Sequence, residues 1–432
     1  MNETASDHAS PAVRARASRA DVQGFWGVWI SWVLDGTDSV IFALIMSPAL
    51  TELLPRSGIA PTAANVASTG SLLFAAFLVG WGLSFIWGPA ADAFGRARTL
   101  AFSIATYSVF TGAAAFAQSV WELGALRVLA GIGIGGGWAL AGTFIAETWP
   151  EDRRAAGAAY LQTGAYLGFF LAAALNYTVG VHWGWRAMSL CGLIPVFTAL
   201  YLLLRVREPP RWQSSQRRQS FLAPWMLIWH SPLRTRTAIN ALLVAVAITG
   251  LWGGTVYEPS ALVTLAAQAG VGAASAQRIA SLGTALLSVG TILGCLMAPA
   301  IAERTGRRAA LAIYFTGMAL CIASEFGCLF YLKHGLLPFT AGLFVLGVFG
   351  GNFAIFTLWI PEQYPTHVRA SAFALTTAFG RFVAAGVNVL LAWGIARFGS
   401  LGIPVALTSL AFVMGLMLIP VAVETKGAGL PA

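Results

Sequence analysis

The sequence predicts an all-α membrane protein of twelve transmembrane helices, arranged as two six-helix bundles. Of the 432 residues, 57% are hydrophobic and 10% are charged, whereas soluble domains carry roughly 25% charged residues. Twelve apolar runs of about 18–28 residues use most of the chain, and roughly 20 residues cross a bilayer as a helix. The runs lack the alternating pattern of a membrane β-barrel. This composition excludes an ordinary soluble enzyme, a disordered chain and a secreted disulfide scaffold.

The apolar runs form two sets of six, separated by one long polar segment. The predicted spans are 25–50, 68–90, 99–117, 121–149, 155–179 and 186–205, then 237–263, 279–302, 309–331, 336–361, 370–396 and 401–423. The resulting units are a tail at 1–21, a bundle at 22–205, a linker at 206–236, a second bundle at 237–423 and a tail at 424–432. The linker is too basic to enter the bilayer, and we expect one surface helix in it, around Phe221–His230.

The distribution of basic residues predicts the topology. Of the 26 Lys and Arg, 19 fall on one side of the predicted bundles, five fall in the opposite loops, and Arg127 and Arg381 lie inside spans. Because cytoplasmic loops carry the excess of Lys and Arg, both termini are expected in the cytoplasm. The excess of Arg over Lys and the richness in Ala are typical of a bacterial protein, so we expect the chain in a bacterial inner membrane. The net charge of +9 therefore reflects topology and does not indicate nucleic acid as a partner.

The cysteines and histidines do not form a metal or redox pattern. The four cysteines all lie in apolar runs, none is part of a CxxC motif, and none has a histidine nearby. The five histidines are scattered along the chain. We therefore expect no metal, no cofactor and no catalytic residues, and a monomeric protein that is not an enzyme.

An internal repeat indicates how the spans are organised. Gly88-x-x-x-Asp92-x-x-Gly95-Arg96 recurs 211 positions later as Pro299-x-x-x-Glu303-x-x-Gly306-Arg307, and Glu147-x-x-Pro150-x-x-x-Arg154 recurs 215 positions later as Glu362-x-x-Pro365-x-x-x-Arg369. Ordinary charged turns would explain the arginines but not the matched spacing. Two parallel six-span halves are the architecture of a rocker-type secondary transporter.

These motifs resemble those of the major facilitator superfamily. The loop after the second span matches the family at Gly88, Asp92, Gly95 and Arg96, although Ala97 interrupts the usual basic pair, and the fourth span matches at Arg127, Gly131, Gly133 and Gly135. The resemblance covers the whole chain apart from the tails and the middle of the linker. It implies the twelve-helix fold of that superfamily and transport by alternating access.

The resemblance also implies a conformational latch made of the acid–Arg loops. Its predicted members are Asp92, Gly95, Arg96, Glu147, Arg154, Glu303, Gly306, Arg307, Glu362 and Arg369. Opposite charges at a partly buried helix interface can hold the cytoplasmic side shut, and Gly95 and Gly306 permit the tight turns that aim them. The alternative is that these charges only set the topology.

Three ionisable residues in the first half are candidates for proton coupling. Asp35 and Asp38 are three residues apart on the first span, about 15 and 20 Å along it from Phe25, and Arg127 in the fourth span reaches a similar depth. Charges at this depth are costly unless they are paired or hydrated, and they mark ion or substrate pathways. We expect Asp35 and Asp38 to carry protons, with Arg127 modulating them; the alternative is a static ion pair.

Arg381 near the middle of the eleventh span is the candidate ligand for a substrate. Its own span contains no acidic residue, so its guanidinium is available to hold a carboxylate through two parallel hydrogen bonds, unless it serves a structural partner elsewhere. Gln162, Tyr166, Trp252 and Asn352 are further candidates for the lining of a central cavity, although each could equally serve in helix packing.

The family resemblance also narrows the substrate. Asp35-Gly36-x-Asp38 and Gly380-Arg381 resemble the metabolite:proton symporters for aromatic acids and sialic acid. We therefore predict proton-coupled uptake of a small organic acid, with an organic anion, protons and the lipid bilayer as partners. The alternatives are a sugar or polyol:proton symporter and a proton-antiport exporter. The seventh span lacks the amide cluster of sugar porters. The sequence assigns no role to Glu258 or Glu325.

Overall fold

A computed structural model describes residues 19–214, 223–250, 257–398 and 400–431. In its first half the α-helices are α1 (Arg19–Arg56), α2 (Ala63–Leu83), α3 (Trp87–Phe94), α4 (Arg96–Ala113), α5 (Val120–Ile134), α6 (Gly136–Thr148), α7 (Arg154–Leu175), α8 (Val181–Cys191) and α9 (Pro195–Arg205). The linker contributes α10 (Pro210–Ser214) and α11 (Ala223–Ile228). Helix α11 falls within the segment where a surface helix is predicted.

The second half repeats the pattern of the first. Its helices are α12 (Leu233–Gly250), α13 (Glu258–Gln268), α14 (Ala273–Thr305), α15 (Arg307–Gly327), α16 (Leu336–Gly350), α17 (Asn352–Glu362), α18 (Arg369–Phe398), α19 (Gly402–Leu407) and α20 (Ser409–Leu418). The described residues contain eleven helical segments that are long and apolar enough to cross a membrane. The predicted seventh span corresponds to α12 and α13, which lie on either side of residues 251–256, outside the described part.

Local sequence signals account for where several helices begin and end. The side chains of Thr62 and Ser119 accept hydrogen bonds from the third residue beyond them, which caps α2 and α5. Gly95 and Gly306 separate α3 from α4 and α14 from α15 with φ of 114° and 94°. Because residues other than glycine rarely adopt these backbone angles, the repeated glycine allows the same sharp turn in both halves.

The fourth and tenth predicted spans are each broken at a glycine. Helix α5 ends before Gly135 and α6 follows it, and α16 ends before Gly351 and α17 follows it. A Cβ atom on Gly351 would collide with the backbone of Gly294, and one on Gly135 would collide with the side chain of Ser84. The glycines therefore allow neighbouring helices to approach closely.

Corresponding helices pack against each other in the two halves. In the first half α1 packs on α7 and α2 on α5, and in the second half α12 packs on α18 and α14 on α16. The two halves meet where α7 packs on α14 and where α18 packs on α2 and α3. This arrangement leaves α1, α2, α6, α7, α12, α17 and α18 around a common centre.

A glycine substitution tests the packing of α2 on α5. A Cβ atom on Gly80 would overlap the carbonyl oxygen of Val128, whereas one on Gly386 meets no atom within 4 Å. We expect Gly80→Ala to lower the free energy of unfolding by about 1–3 kcal/mol, as overpacked positions do. The matched change Gly386→Ala should leave the melting temperature of the purified protein equal or slightly higher. Equal melting temperatures for both variants would contradict this packing.

Candidate functional site

A central cavity lies between the two halves. Residues of both halves line it. Six aromatic side chains line it, namely Trp32, Trp81, Trp138, Tyr166, Phe169 and Phe353. Its polar lining comes from Asp35, Ser39, Gln162 and Arg381. Such a cavity suits a flat apolar molecule that carries one charged group.

Asp35 and Arg381 face this cavity from opposite halves. Asp35 on α1 is 2% exposed and Arg381 on α18 is 3% exposed. The two charges attract each other across the cavity, but neither carboxylate oxygen of Asp35 has a hydrogen-bond partner among the described residues, and Nη1 of Arg381 also has none. The guanidinium lies 4.6 Å from the ring centroid of Trp81. Both charged groups therefore keep unused hydrogen-bonding capacity.

Asp38 and Arg127 lie within the first half and are not among the residues that line the central cavity. Asp38 lines a separate apolar cavity between α1, α7 and α9, so the two aspartates share a helix but not a cavity. A spacing of three residues leaves the two side chains only about 60° apart around the helix. Asp38 lies nearly one turn further along α1, and its different neighbours on α7 and at the start of α9 form the separate cavity. Arg127 donates a hydrogen bond of 3.1 Å to the hydroxyl of Thr111 on α4, and its guanidinium lies 4.9 Å from the ring centroid of Phe42.

Thr111 and Tyr107 on α4 lie near these charges. The Thr111 hydroxyl accepts a hydrogen bond from Arg127 and lies near the carboxylate of Asp38, whose two oxygens have no hydrogen-bond partner among the described residues. Tyr107 is fully buried, and its hydroxyl lies beside Asp35 within the field of both aspartates. The sequence analysis did not identify either residue, because an isolated hydroxyl group in an apolar span belongs to no recognisable motif.

The predicted cavity residues separate into three groups. Gln162 and Tyr166 on α7 line the cavity with Arg381, and Gln162 accepts a hydrogen bond of 2.8 Å from the indole of Trp32. Trp252 lies outside the described residues. Asn352 is buried but does not line the cavity; its amide donates to the carbonyl of Phe349 at 3.1 Å. The backbone N–H of Gly351, where α16 ends, is also directed toward this carbonyl, so Asn352 adds a side-chain donor at the break between α16 and α17.

The acid–Arg loops meet at one end of the molecule, which we call the basic end. Arg96 makes two hydrogen bonds of 3.1 Å with the carboxylate of Glu147 and an ion pair of 3.1 Å with Asp92. The Arg96 and Glu147 side chains are fully buried. Removing one member of a buried ion pair is costly, because the charge that remains then has no partner. We call the ten predicted latch residues the charge latch.

Three residues of the second half bond directly to the first half of the charge latch. Arg369 pairs with Glu147 at 2.8 Å, and the carbonyl of Thr366 accepts a hydrogen bond of 2.7 Å from Arg96. Ser371 donates its backbone N–H and its hydroxyl to one oxygen of Asp92, at 2.9 and 2.5 Å. The two halves are therefore joined at the basic end.

The corresponding residues of the second half make a different set of contacts. Arg307 pairs with Glu303 and binds Glu362 through two bonds of 3.1 and 3.0 Å. Arg154, the repeat of Arg369, pairs with Glu151 and acts on Glu362 only at longer range. Glu362 instead accepts a hydrogen bond of 2.6 Å from Thr425.

Sequence differences explain the asymmetry. The position that repeats Ser371 is Ala156, which has no hydroxyl to offer an acidic side chain. Glu303 is accordingly half-exposed. The cross-half contacts of the charge latch thus centre on Asp92, Arg96 and Glu147.

Two carboxylates that the sequence analysis did not single out hold the glycine turns. Glu208 accepts hydrogen bonds from the backbone N–H groups of Ala97 and Arg98, and Glu424 accepts from those of Arg307 and Arg308. Partial burial favours the protonated form of Glu424, but its backbone N–H donors outweigh this and lower its pKa. Glu208 and Glu424 are 216 positions apart, close to the shifts of 211 and 215 positions between the repeated motifs. This spacing is the signal that would have identified them.

Two further buried carboxyl groups lie in the second half, away from the central cavity. Glu258 at the start of α13 accepts a hydrogen bond of 2.6 Å from Thr284. Glu325 on α15 lies against Gly342 of α16, where a Cβ atom would collide with its carboxylate. Neither is among the residues that line the central cavity.

Comparison with known proteins identifies relatives along nearly the whole chain. The model of the Major Facilitator Superfamily matches residues 28–387. A Haemophilus influenzae protein named as a metabolite transport protein is 28% identical over 94% of this chain and 96% of its own. A Cupriavidus pinatubonensis protein named as a 4-methylmuconolactone transporter is 26% identical over 93% and 90%.

Solved structures include the same fold. The proton:xylose symporter XylE bound to 6-bromo-6-deoxy-D-glucose superposes with a TM-score of 0.78, at 19% identity, over 96% of this chain and 98% of that one. This likeness confirms the predicted all-α fold of two six-helix halves.

The hydroxyl of Ser371 provides a test of the charge latch. In a variant without native cysteines, Gln162→Cys places a thiol in the central cavity. We expect Ser371→Ala to speed its labelling by a water-soluble reagent added at the basic end, by about tenfold, because a hydrogen bond to a charged group contributes about 1.5–3 kcal/mol. Ser103→Ala is the matched control, since Ser103 is buried and bonds within its own half to Gly133. The same labelling rate in both variants would contradict the assignment.

Proposed function

Because the chain belongs to the Major Facilitator Superfamily, it is a membrane transport protein and not an enzyme, and we propose that it takes up a small carboxylate together with protons by alternating access. The proposal depends mainly on one observation. Arg381 is buried in an aromatic cavity opposite Asp35, and its guanidinium retains a donor without a partner.

The substrate follows from the lining of the cavity. A guanidinium holds a carboxylate through two parallel hydrogen bonds, and this pairing is stronger than a neutral hydrogen bond. The indole rings of Trp32, Trp81 and Trp138 favour a flat, unsaturated or aromatic body. The relative named as a 4-methylmuconolactone transporter supports a small organic metabolite as the substrate class.

Proton coupling follows from the cost of burying charge. An ionised carboxyl at the depth of Asp35 needs a cation or a proton to compensate it. Arg381 supplies that cation while the cavity is empty. When a substrate carboxylate binds Arg381, the attraction on Asp35 falls, and Asp35 takes up a proton. Substrate and proton thereby enter together.

Asp38 and Arg127 allow a second proton. One proton carried with one monoanion moves no net charge, so only the pH gradient drives it, at about 1.4 kcal/mol per pH unit. A second proton adds about 2.3 kcal/mol per 100 mV of membrane potential. Movement of the Thr111 hydroxyl between Arg127 and Asp38 would change the proton affinity of Asp38 as α1 shifts.

The charge latch would provide the gate on one side of the cycle. The excess of Lys and Arg at the basic end favours its placement in the cytoplasm. While Arg369, Thr366 and Ser371 are bonded to the first half, the charge latch would keep the cavity closed on that side. Neutralising Asp35 with a proton and Arg381 with substrate lowers the cost of carrying both through the closed intermediate, after which these bonds break and the cytoplasmic side opens.

Substitution of the aspartates tests coupling. Asp35→Asn and Asp38→Asn keep the shape of each side chain but cannot carry a proton. We expect each variant in proteoliposomes to lose accumulation of substrate against its gradient while it retains exchange of labelled for unlabelled substrate. Ser39→Ala, on the same helix and facing the same cavity, should retain accumulation. Persistent accumulation in both aspartate variants would refute the coupling assignment.

Substitution of Arg381 tests substrate binding. Arg381→Ala removes charge-assisted hydrogen bonds worth about 1.5–3 kcal/mol, so we expect KM for the carboxylate to rise about tenfold to a hundredfold. Arg397→Ala is the control, because Arg397 is exposed at the far end of the same helix. Thermal melting of both variants measures folding. An equal loss of folding and transport in Arg381→Ala would indicate a structural arginine.

A further inference from the structure

One tryptophan belongs both to the central cavity and to the contact between the two halves. Trp138 on α6 lines the cavity from the first half. Its indole N–H donates a hydrogen bond of 2.7 Å to the hydroxyl of Thr357 on α17, in the second half. Thr357 is buried and is not among the residues that line the cavity. The bond therefore ties one wall of the cavity to the opposite half of the molecule.

Aromatic rings of the second half pack around the same indole. The ring centroids of Trp138 and Phe353 on α17 are 5.2 Å apart, and those of Trp138 and Phe373 on α18 are 5.5 Å apart. Both ring pairs are inclined by about 60°, as aromatic pairs prefer. Gly142, one turn further along α6, permits this approach, because a Cβ atom there would lie 2.7 Å from the ring of Phe373.

The hydroxyl of Thr357 is oriented to accept the indole N–H. It donates its own hydrogen to the carbonyl of Phe353 at 2.9 Å, so its lone pairs remain for Trp138. An indole nitrogen is a donor only. A buried donor that loses its acceptor costs more than the bond contributes, because the group stays away from water. Replacing the Thr357 hydroxyl should therefore weaken the closed arrangement directly.

The internal repeat places these residues opposite one another. The shift of 215 positions relates Trp138 to Phe353. It also relates Gly142 to Thr357. The two equivalent rings pack together, and a Cβ atom on Gly142 would lie 3.4 Å from the methyl group of Thr357. The hydrogen bond has no equivalent in the other direction, because phenylalanine has no N–H to donate and glycine has no hydroxyl to accept it.

This contact lies between the central cavity and the charge latch. Glu147 follows Trp138 by nine residues on α6, or about 14 Å along the helix. Glu362 follows Thr357 by five residues on α17. Helix α6 packs on both α17 and α18. Each of these two helices therefore links the cavity region to the charge latch, and separating them requires the indole to leave Thr357.

We propose that Thr357 is a positioning residue for the transport cycle, which holds the indole of Trp138 as the wall that closes the central cavity toward the basic end. The indole must leave Thr357 before α6 separates from α17 and the cavity opens there. The inference rests on the alternating-access cycle proposed above. It does not depend on which substrate is carried or on proton coupling.

Access to the cavity from the basic end tests this role without any substrate. The probe is a charged methanethiosulfonate reagent, and the thiol is Gln162→Cys in the full chain without native cysteines. Thr357→Val keeps the shape of the side chain but cannot accept the indole N–H. We expect it to speed labelling about fivefold, which is the contribution of one neutral hydrogen bond. Thr357→Ser retains the hydroxyl and should label at the unmodified rate.

A double variant identifies the bond itself. Trp138→Phe retains a ring but has no N–H, so it should also speed labelling. Adding Thr357→Val to it should cause no further increase, because both changes remove the same bond. Thr376→Val is the matched control, since Thr376 is buried on α18 and its hydroxyl bonds within its own helix, to the carbonyl of Phe373. It should label as the unmodified chain does.

Three outcomes would overturn the proposal. They are equal labelling rates in Thr357→Ser and Thr357→Val, an equal effect of Thr376→Val and Thr357→Val, and single effects that multiply in the double variant. Melting temperatures measure folding, and the two Thr357 variants with their control decide the question if Trp138→Phe does not fold. Persistent accumulation in Asp35→Asn would contradict proton coupling and leave these labelling rates unchanged, so the two failures are distinguishable.

Discussion

The structure depends on compensating charges that are buried in an apolar bundle. Asp35 and Arg381 lie on opposite walls of the central cavity, Arg127 attracts Asp38 and donates a hydrogen bond to Thr111, and Arg96 lies between Asp92 and Glu147. Removing one member of such a pair leaves the other uncompensated in a medium of low polarity. The protein therefore has few low-energy arrangements, and a change of partner at one site favours a change of conformation in the whole bundle.

The two charged regions differ in how completely their groups are satisfied. In the charge latch, Glu147 accepts hydrogen bonds from Arg96 and Arg369, and Asp92 accepts them from Ser371 through one oxygen and forms an ion pair with Arg96 through the other. In the central cavity, both oxygens of Asp35 and one nitrogen of Arg381 have no hydrogen-bond partner among the described side chains. Direct pairs between the two halves hold a closed state, whereas buried charges without direct partners attract a ligand. This contrast supports separate roles for the two regions in the proposed transport cycle.

The loops of the two halves share the repeated motifs, but their contacts differ. The glycine turns at Gly95 and Gly306 and their carboxylate caps remain alike. The cross-half bonds do not, because Ala156 replaces the hydroxyl that Ser371 supplies, and Thr425 takes the acceptor that Arg154 would use. Opening at the basic end therefore requires breaking bonds made mainly by Asp92, Arg96 and Glu147.

The sequence by itself determined the helical membrane fold, the two halves and the identity of the acid–Arg residues at the basic end. Apolar length and motif spacing are local properties, and they are set by bilayer thickness and turn geometry. Tertiary structure alone decided that Asp35 faces Arg381 while Asp38 faces another cavity, that Asn352 donates at a break between helices, and that Ser371 bonds to Asp92 and Thr111 to Arg127. Those contacts join residues tens to hundreds of positions apart, and helix rotation and crossing set them. A single hydroxyl or amide in an apolar span carries no signal of its own.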